Sequence, residues 1–492
     1  MSRITSLVPL ASSKFGYTQA AHLLNRAGFG GSRQQIKALL GMGLASAVDY
    51  LVDYERVAPE AFKPPTYDPD IIRPYTAEER AELRANRNDP QVRERLQAER
   101  NYRRELDGQQ MQALANWWLE TIIATPRPLE EKLTLLWHGH FASSYRNVRD
   151  SYLMLRQNQF FRANANGSFA DLALGIVKDP AMIVFLNNDS NRKAKPNENL
   201  ARELMELFTL GAGNYTEEDI KEGARALTGS TYSDNDFFFS KRNFDSTEKT
   251  ILGQRGDWDA ESFVRILLAR NACPIFIASK LYRHFIADVD ESFNDADQAI
   301  ITHMAKLLKD NRYELKPVLK AMFRSQMFYS QEVMGNQIKS PVQMLVGTIR
   351  TLETPVHDIQ LLKGALSMMG QELFGPPSVA GWYGGRSWVN TSTLFVRQNL
   401  GMYLITSKLP FKDGWSKNKM DYDPRPLIAG LKQTTAVNIV DHLLPTICVA
   451  RLAPQRREQL IEFLKERKDP AARDSLVGLL LLMTSLPEYQ LC

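Results

Sequence analysis

The chain has 492 residues, 61 basic against 56 acidic, with 44% hydrophobic side chains and three cysteines. That length allows two to four domains around a large core, in a composition typical of globular proteins. A formal net charge of +5 with no basic stripe between aromatics excludes a nucleic-acid footprint, and Cys273, Cys448 and Cys492 fit neither a disulfide framework nor CxxC metal spacing.

In chain order, the first fifteen residues hold one Arg and a broken apolar run, short of a signal peptide, so a cytoplasmic location is the default expectation. Helical periodicity then dominates, with predicted helices at 18–24, 32–53, 108–124, 128–137, 198–210, 216–227, 272–286, 340–352 and 391–406 among others. The fold class expected is mainly α: a large helical domain over 1–408, a linker at 409–426, and a helical segment at 427–492 packed on the main domain. Only 230–251 reads as a small β-excursion. Residues 64–107 read as a charged insertion, either a solvated helical arm or a docking arm for a partner. The longest apolar run, LVGLLLLM at 476–483, is too short to cross a bilayer.

Three segments carry candidate chemistry. In TPRPLEEKLTLLWHGHFASS (125–144), Pro128, Glu130 and Glu131 start a helix and Gly139 is placed to stop it. If the chain is extended past Gly139, His138 and His140 share a face, and with Glu203 they form a three-ligand site for a divalent metal with an open position. On a continuing helix they diverge by about 200°. The alternative is that His138 caps the helix carbonyls as a cation while His140 packs beside Trp137 and Phe141. The other histidines, His284 included, have no partner spacing and read as structural or exposed.

The second segment, NENLARELMELFTLGAGNYTEEDIKEGARALTG (197–229), reads as two capped helices. Leu200, Leu204, Leu207 and Phe208 form the apolar side of the first, and Glu203 projects at its edge as a half-buried acid. Gly211 ends that helix, and Thr216 with Asp219 caps the next.

In the third, FGPPSVAGWYGGRSWVNTSTLFVRQN (374–399), prolines and glycines force an irregular loop bearing Trp382, Tyr383 and Trp388 before Asn390 or Thr391 caps a helix. That helix start with Arg386 and Arg397 suits an anion, and the tryptophans suit a sugar ring. The competing reading is a loop that plugs the core through its tryptophans.

Together with HLLNRAGFGG and KSPVQML, these segments closely resemble the bacterial family called domain of unknown function 1800, from about Tyr17 to the end. The resemblance implies a mostly helical protein without an assigned activity. It also implies a possible partner, since the family's genes tend to lie beside a sulfatase-like family, domain of unknown function 1501, and many members look exported. Where members show a His-Asp pair, this chain has Phe244-Asp245. His138, His140, Asn197, Glu198, Asn199, Arg202, Glu203, Trp382, Trp388, Asn390 and Arg397 fall on the family's pattern by this resemblance. Two functions are therefore expected. One is a metal-assisted hydrolase with Glu203 and Arg202 catalytic, His138, His140 and Glu203 on the metal, and Asn197, Asn199 and the tryptophan loop holding an anionic or sugar-like substrate. The other is a non-catalytic binding or assembly protein that works with a sulfatase-like partner.

Overall fold

The helical periodicity is realised as 22 α-helices and three two-stranded antiparallel sheets among the described residues of this computed structural model, which are 6–58, 64, 66–86, 89–288, 292–408, 410–411, 414–415 and 422–492. Two of the sheets fall at the predicted β-excursion, the second running past its expected end at Ile251: Ser230–Ser233 pairs with Asp236–Phe239, and Lys249–Ile251 with Gln254–Gly256. Of the predicted linker, only 410–411, 414–415 and 422–426 lie within the described residues. Among the described residues, no single helix is long and apolar enough to cross a membrane.

The structure moves several predicted boundaries. The helix expected at 32–53 breaks at Gly43 into Arg33–Met42 and Leu44–Val52. The helix expected from 108 begins at Pro90 and runs unbroken to Ala124 for 35 residues. Asp89 caps its start, and pairs such as Arg103–Glu99 support a charged stretch too polar for a core. Residues 199–210 form a short α-helix, Asn199–Glu203, followed by a π-helical turn, Leu204–Thr209. Its widened register lets Leu210 N and Gly211 N both donate to Met205 O.

Three apolar clusters hold the chain together. The largest joins the first helices to the region 129–333, the second gathers Trp118, Leu345 and Leu366, and the third packs 436–483 against Met344, Leu352 and Ile405. Helix Pro128–His140 lies between the first two, sending Leu129, Leu133 and Trp137 to one and Leu135 to the other. A helix buried on both sides has little solvent face, which is why both its histidines end up inside the protein.

Candidate functional site

Gly139 does not stop its helix, which continues to His140 with Phe141 as the C-cap. The two imidazoles therefore project about 200° apart, the arrangement in which they cannot share a ligand. His138 sits in an aromatic box, its ring centroid 5.3 Å from Phe374, 5.5 Å from Trp118, 5.6 Å from Trp382 and 6.0 Å from Phe161. Neither of its nitrogens has a hydrogen-bond partner, and burial pushes its pKa down to about 3, so it is not the cationic cap that the alternative required.

His140 packs between Trp137 and Phe141, at 5.7 and 4.5 Å between centroids, and its Nε2 lies 3.0 Å from Phe208 O on the π-helical turn. A carbonyl can only accept, so Nε2 carries the proton and Nδ1 is left buried without a partner. Burial, then the charge of Lys280, holds this ring neutral as well.

Glu203 is half-buried, and desolvation followed by the nearby Glu206 raises its carboxyl. Among the described residues, no group of three or more His, Cys, Asp or Glu side chains converges as a metal site. The expectation that His138, His140 and Glu203 share a metal is thus corrected by the helix that carries the two histidines.

The polar residues around Glu203 close local structure. Arg202 donates to both carboxylate oxygens of Glu217, at 2.9 and 2.8 Å, and to Glu198 at 3.1 Å. Asn197 Oδ1 accepts from Asn199 N, and Asn197 N donates to Asn191 Oδ1. Neither the candidate catalytic pair Arg202 and Glu203 nor Asn197 and Asn199 lines the cleft described below.

The tryptophan loop is clamped onto the same helix. Gly381 has φ +84°, and a Cβ there would lie 2.1 Å from Gly139 O; one on Gly139 would lie 3.2 Å from Trp382 Cε3. Gly381 is thus the glycine that lets loop and helix meet backbone to backbone, whereas a Cβ on Gly139 would need only a small shift of the indole. The loop then turns over Gly385–Trp388 and enters helix Thr391–Thr406, capped by Asn390 Oδ1 on Thr393 N at 3.0 Å. Thr393 Oγ1 accepts from Asn390 N, so this helix start is closed on itself rather than offered to an anion. Arg397 is fully buried, donating to Lys339 O at 2.8 Å and Gln490 Oε1 at 3.2 Å. Arg386 is exposed near the loop tip.

Between the clamped loop and the helix opens a cleft of about 430 Å³. Trp382 and Trp388 line one side, and Lys132, Leu136, Gly139 and His140 the facing helix. Helix Ala272–Phe285 adds Lys280, Arg283 and His284. Asp288 and Cys492 also line it, and the charge of Cys492 acts on Lys132 against the effect of burial. Lys132 is 8% exposed and gives its hydrogens to neutral acceptors, Gly28 O at 2.9 Å and Gln343 Oε1.

Behind the walls lie further buried cations. Arg26 donates to Phe285 O, Ile286 O, Val333 O, Asn336 Oδ1 and to Gln337 Oε1, a wall residue. Lys339 rests 4.0 Å above the Tyr489 ring. None of Arg26, Lys132, Lys339 and Arg397 forms an ion pair among the described residues. Burial pushes Lys132 and Lys339 down to about 8, Arg397 to about 10 and His284 to about 3. Removing a charge from water without a counter-charge costs several kcal/mol per ion, a cost that an anion in the cleft would offset.

Reading the sequence missed Lys132, Lys280 and Arg283, and treated His284 as unremarkable. One signal was available: Lys132 lies three and seven positions from Leu135 and Gly139, on the inward side of a helix with few outward residues. A lysine there has to be buried, and nothing nearby in sequence pairs with it.

A family model described as a protein of unknown function (DUF1800) matches residues 22–491. Comparison with curated proteins and with solved structures returns no match.

Proposed function

The chain belongs to the DUF1800 family, and since that membership assigns no reaction, we propose from the geometry that the protein binds an anionic ligand in the cleft between helix Pro128–His140 and the tryptophan loop. The observation that carries this reading is the set of buried cations at the cleft and behind its walls, Lys132 with Arg26 and Lys339, none of which forms an ion pair within 4 Å among the described residues, although Cys492 and Asp288 act on Arg26 from farther away. Trp382 and Trp388 add flat apolar faces, which suit a sugar or other ring bearing the anionic group. A volume of about 430 Å³ is in the range of small-molecule sites. The metal-assisted hydrolase expected from the sequence draws no support from His138, His140 and Glu203, whereas its anionic substrate is the part that the cleft favours.

Thermal denaturation with phosphate or sulfate, against chloride at matched ionic strength, tests this reading. A site filled to a hundredfold over its Kd stabilises the fold by about 2.7 kcal/mol. Because sulfate and phosphate also strengthen burial non-specifically, the decisive comparison is the Lys280→Met, Arg283→Met double variant. Binding at the cleft predicts a smaller response in the variant, and equal responses would overturn the reading.

A second reading, assembly with a sulfatase-like partner through the charged arm, is favoured by helix Ala77–Ala85, which buries none of its residues and is held by Arg73–Glu79 and Arg95–Glu82 pairs. Reversing the exposed Arg80 and Arg84 to Glu should abolish co-purification with such a partner; unchanged co-purification removes the arm from the interface.

A further inference from the structure

We propose that Lys132 is a reactive amine of the cleft, condensing with the carbonyl carbon of an anionic aldehyde or 2-oxo acid to form an imine. This rests on the anion-binding reading above and adds a substrate class and a covalent step to it.

The argument starts from what holds the amine. Lys132 Nζ donates to Gly28 O and to Gln343 Oε1. Gln343 is itself oriented, since its Nε2 donates to Asn25 O at 3.1 Å and its oxygen is left for the lysine. Both acceptors are uncharged, so neither holds the ammonium form in place. An amine that loses its third proton keeps both hydrogen bonds and carries its lone pair on the remaining valence. A buried lysine kept for structure is normally paired with a carboxylate; one surrounded by cations and apolar groups is how a nucleophilic amine is made.

Burial is the main cause that lowers the Lys132 amine; Cys492, which also lines the cleft, acts against it, and Arg26, from helix Tyr17–Arg26, adds to it. His284, from helix Ala272–Phe285, lies close enough to feel the Lys132 charge, and the Phe29 ring lies 5.1 Å from Nζ. Lys280 and Arg283 line the same cleft and can take the acid group of the ligand while its carbonyl reaches the amine. In the step, the nitrogen lone pair forms the C–N bond as the carbonyl C–O bond breaks. Both amine hydrogens leave with that oxygen as water, and no oxidation state changes. The imine takes up a proton from solvent, which restores one N–H for Gly28 O or Gln343.

Lys339 is an internal control. It is buried to a similar degree and its amine is depressed to the same value, but it does not line the cleft. The experiment treats the full-length protein at neutral pH with glyoxylate and cyanoborohydride, which reduces the imine to a stable carboxymethyl amine, and maps the product by peptide mass spectrometry. At neutral pH the uncharged fraction of Lys132 exceeds that of a surface lysine on the order of a hundredfold, so Lys132 should be labelled first, ahead of Lys339, and phosphate should protect it.

Labelling of surface lysines with Lys132 unmodified overturns the proposal, as does labelling of Lys339 as fast as Lys132. Because the wild-type chain is mapped, no variant has to fold. Formaldehyde, a carbonyl without charge, separates the two readings: equal labelling of Lys132 by both reagents supports the amine and counts against anion capture. An unlabelled Lys132 in a protein still stabilised by phosphate leaves anion binding standing and removes the amine.

Discussion

Replacing Gly381 by Ala should undock the tryptophan loop, and the structure sets the size of the effect. Gly381 holds φ +84°, where a Cβ costs about 1 kcal/mol in backbone strain. That Cβ would also lie 2.1 Å from Gly139 O, a backbone atom in the last turn of a packed helix, and relieving such an overlap costs about 1–3 kcal/mol. The sum, about 2–4 kcal/mol, falls on the contact that carries Trp382. Gly139→Ala is the matched comparison. Its Cβ meets an indole edge at 3.2 Å, a contact that a shift of a few tenths of an ångström relieves, and Ala for Gly in a helix returns about 1 kcal/mol. Guanidinium denaturation followed by near-ultraviolet circular dichroism should therefore order the chains as wild type close to Gly139→Ala, with Gly381→Ala far below. The anion response should weaken in Gly381→Ala, because one wall of the cleft has moved. Equal midpoints for the two variants, or a loss at Gly381→Ala below about 0.5 kcal/mol, would refute the clamp.

His138→Phe should leave the protein folded and within about 1 kcal/mol of wild type, because removing two unpartnered nitrogens from an aromatic box offsets the strain of one extra ring atom; a metal ligand would not tolerate the change, so lost folding together with lost bound metal on elemental analysis would restore the metal reading. Glu131→Gln should cost about 3–5 kcal/mol, since Glu131, 1% exposed, takes Arg162 Nε at 2.6 Å, Arg162 Nη2 at 3.0 Å and the Trp118 indole at 2.9 Å; a midpoint close to wild type would show that the guanidinium is satisfied without it. The neighbouring Glu130 is pushed up to about 7, by burial and then by the charge of Glu131. The folded state thus holds a proton that the unfolded chain has released above 4.5, so this group makes stability fall as pH rises from 4.5 to 7. Denaturation midpoints across that window should decline less steeply in Glu131→Gln, and an unchanged slope would remove Glu131 as a cause.

The fold was legible wherever local physics decides it. Thr216 and Asp219 form the predicted capping box, Gly211 follows the π-helical turn with a positive φ, and the β-excursion pairs as two hairpins. A continuous charged helix over Pro90–Ala124 was harder to see, because its first half has no apolar stripe and is supported by ion pairs and a cap. The π-helical turn at Leu204–Thr209 leaves no periodicity signal of its own, since one widened turn shifts the register by a single residue.

The site was legible in part, and the misreading has one physical source. In HGH the glycine reads as punctuation, and an extended chain past it aligns the two imidazoles. The helix instead carries on to His140, which separates them, and it is Gly381 that allows the loop backbone onto the Gly139 carbonyl. The same clamp explains why the conspicuous residues are scaffold. His138 sits under Trp382, Asn390 closes its own helix, and Arg397 fastens Lys339 O and Gln490. The groups with chemistry to offer, Lys132, Lys280, Arg283 and His284, sit on two helices and become a cluster only when the loop closes the cleft beside them. A lysine on the buried face of a helix is a local contradiction that helical periodicity alone cannot resolve. Packed among Arg26, His284 and Gln343, with Cys492 offsetting only part of the cost of burial, it stays a contradiction in the folded protein, and an anion in the cleft is the simplest agent that would resolve it.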